Sequence, residues 1–395
     1  IEQGVPDSKL DAAERQLADE HRAKRKELDA DIKALEATRP KLIGRLAAVS
    51  QPAGASPVVR MLNRGEYKSP GDPVTPGSPL VLSDESNPAD FVTNEKSEKG
   101  AKDSPGPRLA FAKWVTQPDS RAAALLARVT VNRWWQHHFG TGIVATADNL
   151  GYSGASPSHP ELLDLLAGEL IRQNWSAKGI HRMILHSAVY RQSSRPVPTA
   201  EQKDPDGRLL ARFPLRRLDS ESIRDAMLAA SGELDPAMYG PYVPTQVGSD
   251  GDVFVGESVS GSLRRSLYLQ QRRTQVVGLL EVFDAPSIVF NCTARPRTTV
   301  PLQSLKLLNS DFVRARAAGL ARRVRSSPEI AEEQAMVNAF RITWGRRPTA
   351  EEQAAPRRFL TEQTQEYAGR PNAVQAAWVD LCQMLLASNA FLYIE

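Results

Sequence analysis

Residues 108–194 read RLAFAKWVTQPDSRAAALLARVTVNRWWQHHFGTGIVATADNLGYSGASPSHPELLDLLAGELIRQNWSAKGIHRMILHSAVYRQSS. This stretch decides the fold, because apolar residues recur at helical spacing in successive segments separated by turn residues. In 120–139 the apolar face is read as Leu125, Leu126, Val129, Val131 and Trp134. Gly140 and Gly142 end that segment, since glycine tolerates the left-handed terminal conformation. In 156–173 Ser158 is expected as N-cap, with Pro160 in the first turn and Glu161 complementing the positive helix end. Residues 177–193 are predicted as a further helix. The same stretch holds five of the six histidines and four of the six tryptophans. Trp134 and Trp135 are helical neighbours, so they are not expected both to point inward.

Upstream, residues 7 to about 50 read as a helical arm, with Leu10, Leu17, Leu28, Ile32 and Leu35 among charged residues and Pro40 interrupting the run. Residues 51–107 form a Pro/Gly-rich extended linker, with short β-like pieces in PVVRML (57–62) and SPLVL (78–82). Residues 84–107 are expected to be a mobile loop. Downstream, 216–234 predicts a helix opened by Asp219, and 235–261 is glycine-rich and irregular. SLRRSLYLQQRR (262–273) is expected as a strand or an extended edge. From 298 onward the pattern is again helical, broken at Gly345 and Pro348, with Thr349 and Glu352 spaced as a capping box. The predicted fold is therefore mainly α: a multi-helix globular body over 108–395, with an N-terminal helical arm over 1–50 and short β pieces.

With 395 residues, 41% hydrophobic and 24% charged, the chain has the composition of an ordinary globular protein. Fifty basic residues against 46 acidic ones leave +4, too balanced to point to nucleic acid. No apolar run approaches the ~20 residues of a membrane span. The start, IEQGVPD, has no Met and reads as a processed product or a fragment. Cys292 and Cys382 lie in no CxxC or CxxCH pattern. They suit either a single disulfide or free thiols, with Cys382 expected buried in the apolar run WVDLCQMLL.

His137 and His138 close one predicted helix, His159 and Glu161 open the next, and His181 and His186 follow, five apart. These are not metal-ligand spacings, and no metal site is predicted. Arg133, His138, Tyr190, Arg191 and Asp219 are a candidate polar cluster. Arg217 and Arg224 flank Asp219 and Asp225 as structural ion pairs would. Arg264 and Arg265, with Arg272 and Arg273, form a second basic group, and Arg295 and Arg297 a third. Arginine suits planar contacts to carboxylate, sulfate or phosphate. The candidate anion-binding residues are thus Arg133, His137, His138, His159, Tyr190, Arg191, Arg217, Arg264 and Arg265. If the chain is an enzyme, His138 or His159 would be the general acid/base, with Asp219 or Glu161 as partner. Ser153 in GYSGAS is not a nucleophile elbow, and no Walker loop, dinucleotide fingerprint or HExxH is present.

The stretch 108–194 resembles the core of the domain of unknown function 1553. RRLDSESIRDAMLAASGEL (216–234), RRSLYLQQRR (264–273), FDAPSIVFNCTARPRTTVPLQSLKLLNSDFV (283–313) and ASNAFLYIE (387–395) are similar to it in the same order. That domain is found in large exported planctomycete-type proteins carrying c-type cytochrome modules. The resemblance implies a periplasmic or otherwise extracytoplasmic setting, with protein partners such as c-type cytochrome modules and polysaccharide as a further candidate. It supplies no reaction and no catalytic residues. This chain has no haem motif, so haem c would belong to a separate or upstream module. The expected role is a binding or scaffolding module of a redox or polysaccharide-processing assembly, with an Arg/His-rich face for an anionic ligand or partner. The alternative is a glycan-acting enzyme. A third reading has a histidine completing axial ligation of a neighbouring module's haem.

Overall fold

The computed structural model describes residues 19–38, 58–83, 106–196, 198–327 and 329–394. The chain divides into two compact units, residues 1–48 with 239–241, and residues 49–238 with 242–395.

In the first unit, α1 spans Asp19–Thr38. Leu28, Ile32 and Leu35 share one side of α1 and are exposed. The expected helical stretches 7–18 and 39–50, with Leu10 and Leu17, lie outside the described residues.

The second unit begins with an exposed hairpin. Strands β1 (Val59–Leu62) and β2 (Pro70–Val74) pair antiparallel, with Val59 opposite Val74 and an irregularity between Arg60 and Leu62. SPLVL, expected as β-like, instead closes a 3-10 turn over Leu80–Leu82. Its amides return to Pro79 and Leu80, so it has no ladder to join. The expected mobile loop lies mostly outside the described residues.

Helices α2 (Gly106–Val115), α3 (Arg121–Phe139), α4 (Pro160–Arg172) and α5 (Ala177–His186) follow. The Ser120 hydroxyl caps α3 by accepting from Ala123 N at 3.0 Å. The buried face of α3 is Ala123, Ala127, Val131, Trp135 and Phe139, while Leu125 is exposed and Trp134 only half-buried. The expected face is thus rotated. Alanines at i, i+4 let the neighbouring helix approach closely, and that contact outweighs the larger leucines. The N-cap position of α4 is His159 rather than Ser158, because Pro160 holds the first helical φ and the cap falls on the residue before it. The helix predicted over 177–193 ends at His186, where Ser187 turns back on Ile184 through both its amide and its hydroxyl. Val131, Trp135 and Phe139 join Leu163, Leu166, Leu170, Ile180, Ile184 and Phe213 in one core.

After α6 (Pro198–Lys203) comes the two-residue strand β3 (Arg216–Arg217), then α7 (Ser220–Ser231). Asp219 holds the N-cap position of α7 as expected, though its side chain makes no capping hydrogen bond, and Gly232 at φ +80° closes the helix. β4 (Gln246–Val247) and β5 (Val253–Phe254) form a small hairpin. SLRRSLYLQQRR is a 3-10 turn over Ser266–Tyr268 rather than a strand, with isolated bridges from Arg264 to Asp235, Leu269 to Val243 and Arg272 to Gln275. The chain is pinned there by Arg224, which donates to the Ser262 and Arg264 carbonyls, and by Asp225, which accepts from Ser266 N. Helices α8 (Gly278–Val282), α9 (Pro301–Asn309), α10 (Asp311–Val324), α11 (Glu332–Trp344), α12 (Ala350–Glu366), α13 (Ala373–Leu386) and α14 (Asn389–Leu392) complete the body. The capping box of α12 forms in full, with Thr349 and Glu352 exchanging backbone and side-chain hydrogen bonds. These helices build a second core around Met227, Leu280, Leu320, Met336, Phe340, Trp378 and Leu386.

The last strand, β6 (Tyr393–Ile394), pairs antiparallel with β3, Arg216 opposite Ile394 and Arg217 opposite Tyr393. Tyr393 packs on the second core and Ile394 on the first. Strand residues alternate in direction, so the two adjacent arginines of β3 serve opposite sides of this seam.

Candidate functional site

Arg217 is buried and fully engaged. Its guanidinium pairs with Asp284 and donates to the Thr298 carbonyl and, at 3.1 Å, to Gln303 Oε1, with the Phe283 ring 5.2 Å away. Asp284 also accepts from Thr298 N at 2.9 Å and Thr298 Oγ1 at 2.8 Å. Burial would raise the Asp284 carboxyl, but the hydrogen bonds from Thr298 and Arg217 hold it below the usual carboxylate range. The consequence is positional. Residues 284–298 are tied at both ends to β3, and the loop between carries Arg295 and Arg297.

Arg295 makes a two-pronged ion pair with Glu221 in the first turn of α7, at 2.6 and 3.0 Å. Burial would raise the Glu221 carboxyl, yet the bonds from Arg295 and Ser220 leave it depressed. Arg297 instead lies over Gly140, just past the C-terminus of α3. A Cβ placed on Gly140 would sit 2.9 Å from Arg297 Nη1 and 3.8 Å from Arg216 Cδ. Arg216 and Arg297 repel each other, and burial with that repulsion lowers the Arg216 guanidinium below its usual range, with Asp219 and Tyr190 opposing. Neither arginine has a carboxylate within ion-pair distance among the described residues, and Arg216 Nε is buried without a hydrogen-bond partner.

Beside them His138, in the last turn of α3, brings Nε2 to 2.9 Å from His181 Nδ1 on α5. Tyr190 stands edge-on to His138 at 5.6 Å between ring centroids, and Trp134 lies 5.0 Å from the His181 ring. Burial first, then the charges of His181, Arg216 and His137, lowers the His138 pKa. His138 is thus held toward its neutral form, and which ring of the contact donates depends on the tautomer. The C-terminus of α3 is held in place by buried Asn132, whose amide bonds both the carbonyl and the amide of Val144.

Of the residues singled out from the sequence, the structure gathers His138, Tyr190 and Asp219 around Arg216. His137 is exposed beside His138. Arg133 is exposed on α3, and Arg191 is exposed and, among the described residues, donates to Ser187 O. His159 bonds its neighbour Ser158 at 2.9 Å, and Glu161 is exposed at the start of α4. Arg217 is spent on Asp284. Arg264 is buried, 3.8 Å over the Tyr268 ring and donating to Ala237 O, and exposed Arg265 approaches Asp225 at 3.8 Å. Arg216 was missing from that reading, and His181 entered it only as a histidine five residues before His186. Arg297 was noted only as part of a basic group; the signal was TARPR following FDAP, whose Asp284 anchors the loop.

No group of three or more His, Cys, Asp or Glu able to hold a metal occurs among the described residues. Both cysteines are free, Cys292 exposed and Cys382 buried. No helix among the described residues is long and apolar enough to cross a membrane. No curated protein and no solved structure matches the chain. Residues 107–360 match the family described as PSD1, protein of unknown function (DUF1553). That match takes in α3 to α11, the first core, part of the second and every residue of the Arg216 cluster, and the chain belongs to the DUF1553 family.

Proposed function

We propose that this chain is a binding module of an extracytoplasmic redox or polysaccharide-processing assembly, and that the Arg216 cluster takes an anionic group of its ligand or partner. The observation that carries the reading is the pair Arg216 and Arg297. The buried arginines Arg217, Arg224 and Arg316 all meet carboxylates or carbonyls, whereas half-buried Arg216 and exposed Arg297 repel each other with no carboxylate in ion-pair reach among the described residues. The C-terminus of α3 offers roughly half a negative charge, too little to offset two guanidiniums. An anion placed against them would supply the missing counter-charge and an acceptor for Arg216 Nε.

The module company of the family favours c-type cytochrome modules as protein partners, with haem c on those modules, and polysaccharide as a further ligand. The test is calorimetric titration of the chain with inorganic sulfate and with a sulfated oligosaccharide at low ionic strength. Saturable binding that is lost in Arg297→Gln is expected. Wild-type chain that takes up neither probe at any pH from 5 to 8 rejects the reading.

A further inference from the structure

We infer that the outward face of α9 is an interface at which two copies of this chain pair about a two-fold axis through Leu305. The inference is separate from the anion-binding reading and uses none of its residues.

A helix on a protein surface turns its apolar residues inward and its polar ones to water. α9, with the sequence PLQSLKLLN, is apolar on both sides. Gln303 and Leu307 are buried. Leu302, Leu305 and Leu308 are 53–56% exposed, with Pro301, Ser304 and Asn309 exposed around them. Residues two apart on a helix point to nearly opposite sides, so Leu305 stands at the centre of the face turned away from Leu307, flanked by Leu302 and Leu308. Exposed Val300, at the N-cap position, extends the patch at one end. Gln383 on α13 donates to the Leu307 and Leu308 carbonyls at 3.0 and 2.8 Å, which sets the next residue, exposed Met384, beside the other end. The one charged residue of α9, Lys306, is spent on Asp252 at 2.6 Å.

Single exposed leucines are ordinary on a surface, but a contiguous patch marks an interaction site. Five residues of this size, each about half exposed, present on the order of 500 Å². Homodimer interfaces are roughly 65% apolar, so this patch is the apolar part of an interface of roughly 800 Å² per partner, the size of a standard stable one.

The occupant follows from spacing and charge. Leu302 and Leu308 stand three residues on either side of Leu305. Two antiparallel copies of α9 related by a two-fold axis at Leu305 therefore set Leu302 of each against Leu308 of the other, with the two Leu305 side chains meeting at the centre. The face is its own complement, as a two-fold interface requires. It offers no free charge to select an acidic or basic partner, and charge is depleted at the core of such interfaces.

Sedimentation velocity of the full chain over a dilution series is the test, and a concentration-dependent dimer is expected. Leu305→Glu puts two carboxylates on the axis and should weaken pairing by about 100-fold or more. Leu165→Glu, on α4 and just as exposed at 56%, should leave the dimer intact. Circular dichroism checks that both surface variants are folded. In a Cys292→Ser background, Leu305→Cys should cross-link to its own copy under mild oxidation, because residues on a two-fold axis face each other. A wild-type chain that stays monomeric to about 1 mM overturns the inference. So does a dimer that persists in Leu305→Glu, or one lost equally in Leu165→Glu. Sulfate binding by a strictly monomeric chain would leave the anion-binding reading standing without this one.

Discussion

His138 Nε2 lies 2.9 Å from His181 Nδ1, which joins the end of α3 to α5 through one shared hydrogen. Two imidazoles in this arrangement bind at most one extra proton easily, because a second would face the first across the contact. Burial and the neighbouring charges lower the His138 pKa below its ordinary value of about 6.5. The unfolded chain therefore binds more protons here than the folded one below that value. The stability this group contributes is fully present above about pH 6.5 and is lost as pH falls through the lowered folded value. Thermal unfolding followed from pH 8 to 5 should show the midpoint falling through this range. In His138→Gln that part of the fall should shrink, and an unchanged slope would mean other groups set it.

The Arg217–Asp284 pair should be worth more broken than its surface appearance suggests. Asp284→Asn leaves Arg217 charged and buried with its main partner gone, and loss of one member of such a pair costs about 3–5 kcal/mol. The loop 284–298 would also lose one of the two oxygens that accept from Thr298, so Arg297 should leave Gly140 and anion binding should weaken alongside stability. Chemical denaturation with a sulfate titration on the same variant checks both. Destabilisation with anion affinity intact would separate the loop from the site.

The two thiols should differ sharply in reactivity. Cys382 is buried in α13 and burial pushes its thiol up to about 12, so almost none is thiolate near neutrality. Cys292 is exposed and donates only to Ala294 O. A chromogenic disulfide reagent should titrate one thiol in the native chain and two in denaturant. Two fast-reacting thiols in the native state would place Cys382 elsewhere.

Much of the fold is legible in the sequence because helix periodicity and caps are local signals. Gly140, Gly345 and the Thr349–Glu352 box do in the structure what their residue types require, and Asp219 holds its N-cap position without the side-chain bond. The face of α3 was not legible, since the choice between Leu125 and Ala127 depends on how near α4 comes, a tertiary quantity. The site was legible only in part for a related reason. Its histidines and Tyr190 stand in one dense stretch, whereas the decisive neighbours Arg216 and Arg297 arrive through a two-residue strand and a loop pinned by Asp284. Nothing in the spacing of Arg216 and Arg217 says which is paired. Only the alternation of β3 across the seam sends Arg217 to a carboxylate and leaves Arg216 without one.

Gly140 ties stability to function most directly. It ends α3 at φ +89°, a conformation that strains any L side chain, and glycine there costs nothing sterically. Gly140→Ala should therefore destabilise the chain by about 1–2 kcal/mol from backbone strain alone. The added Cβ would also sit 2.9 Å from Arg297 Nη1, so the guanidinium must move away from residue 140. Two readouts follow from one methyl group: a lower unfolding midpoint, and sulfate affinity reduced toward that of Arg297→Gln. Gly369 supplies the control, since it too has positive φ, +88°, but open space around it. Gly369→Ala should show the loss of stability without the loss of sulfate binding. Equal sulfate affinity in Gly140→Ala and Gly369→Ala would show that the position of Arg297 over Gly140 does not matter to the anion.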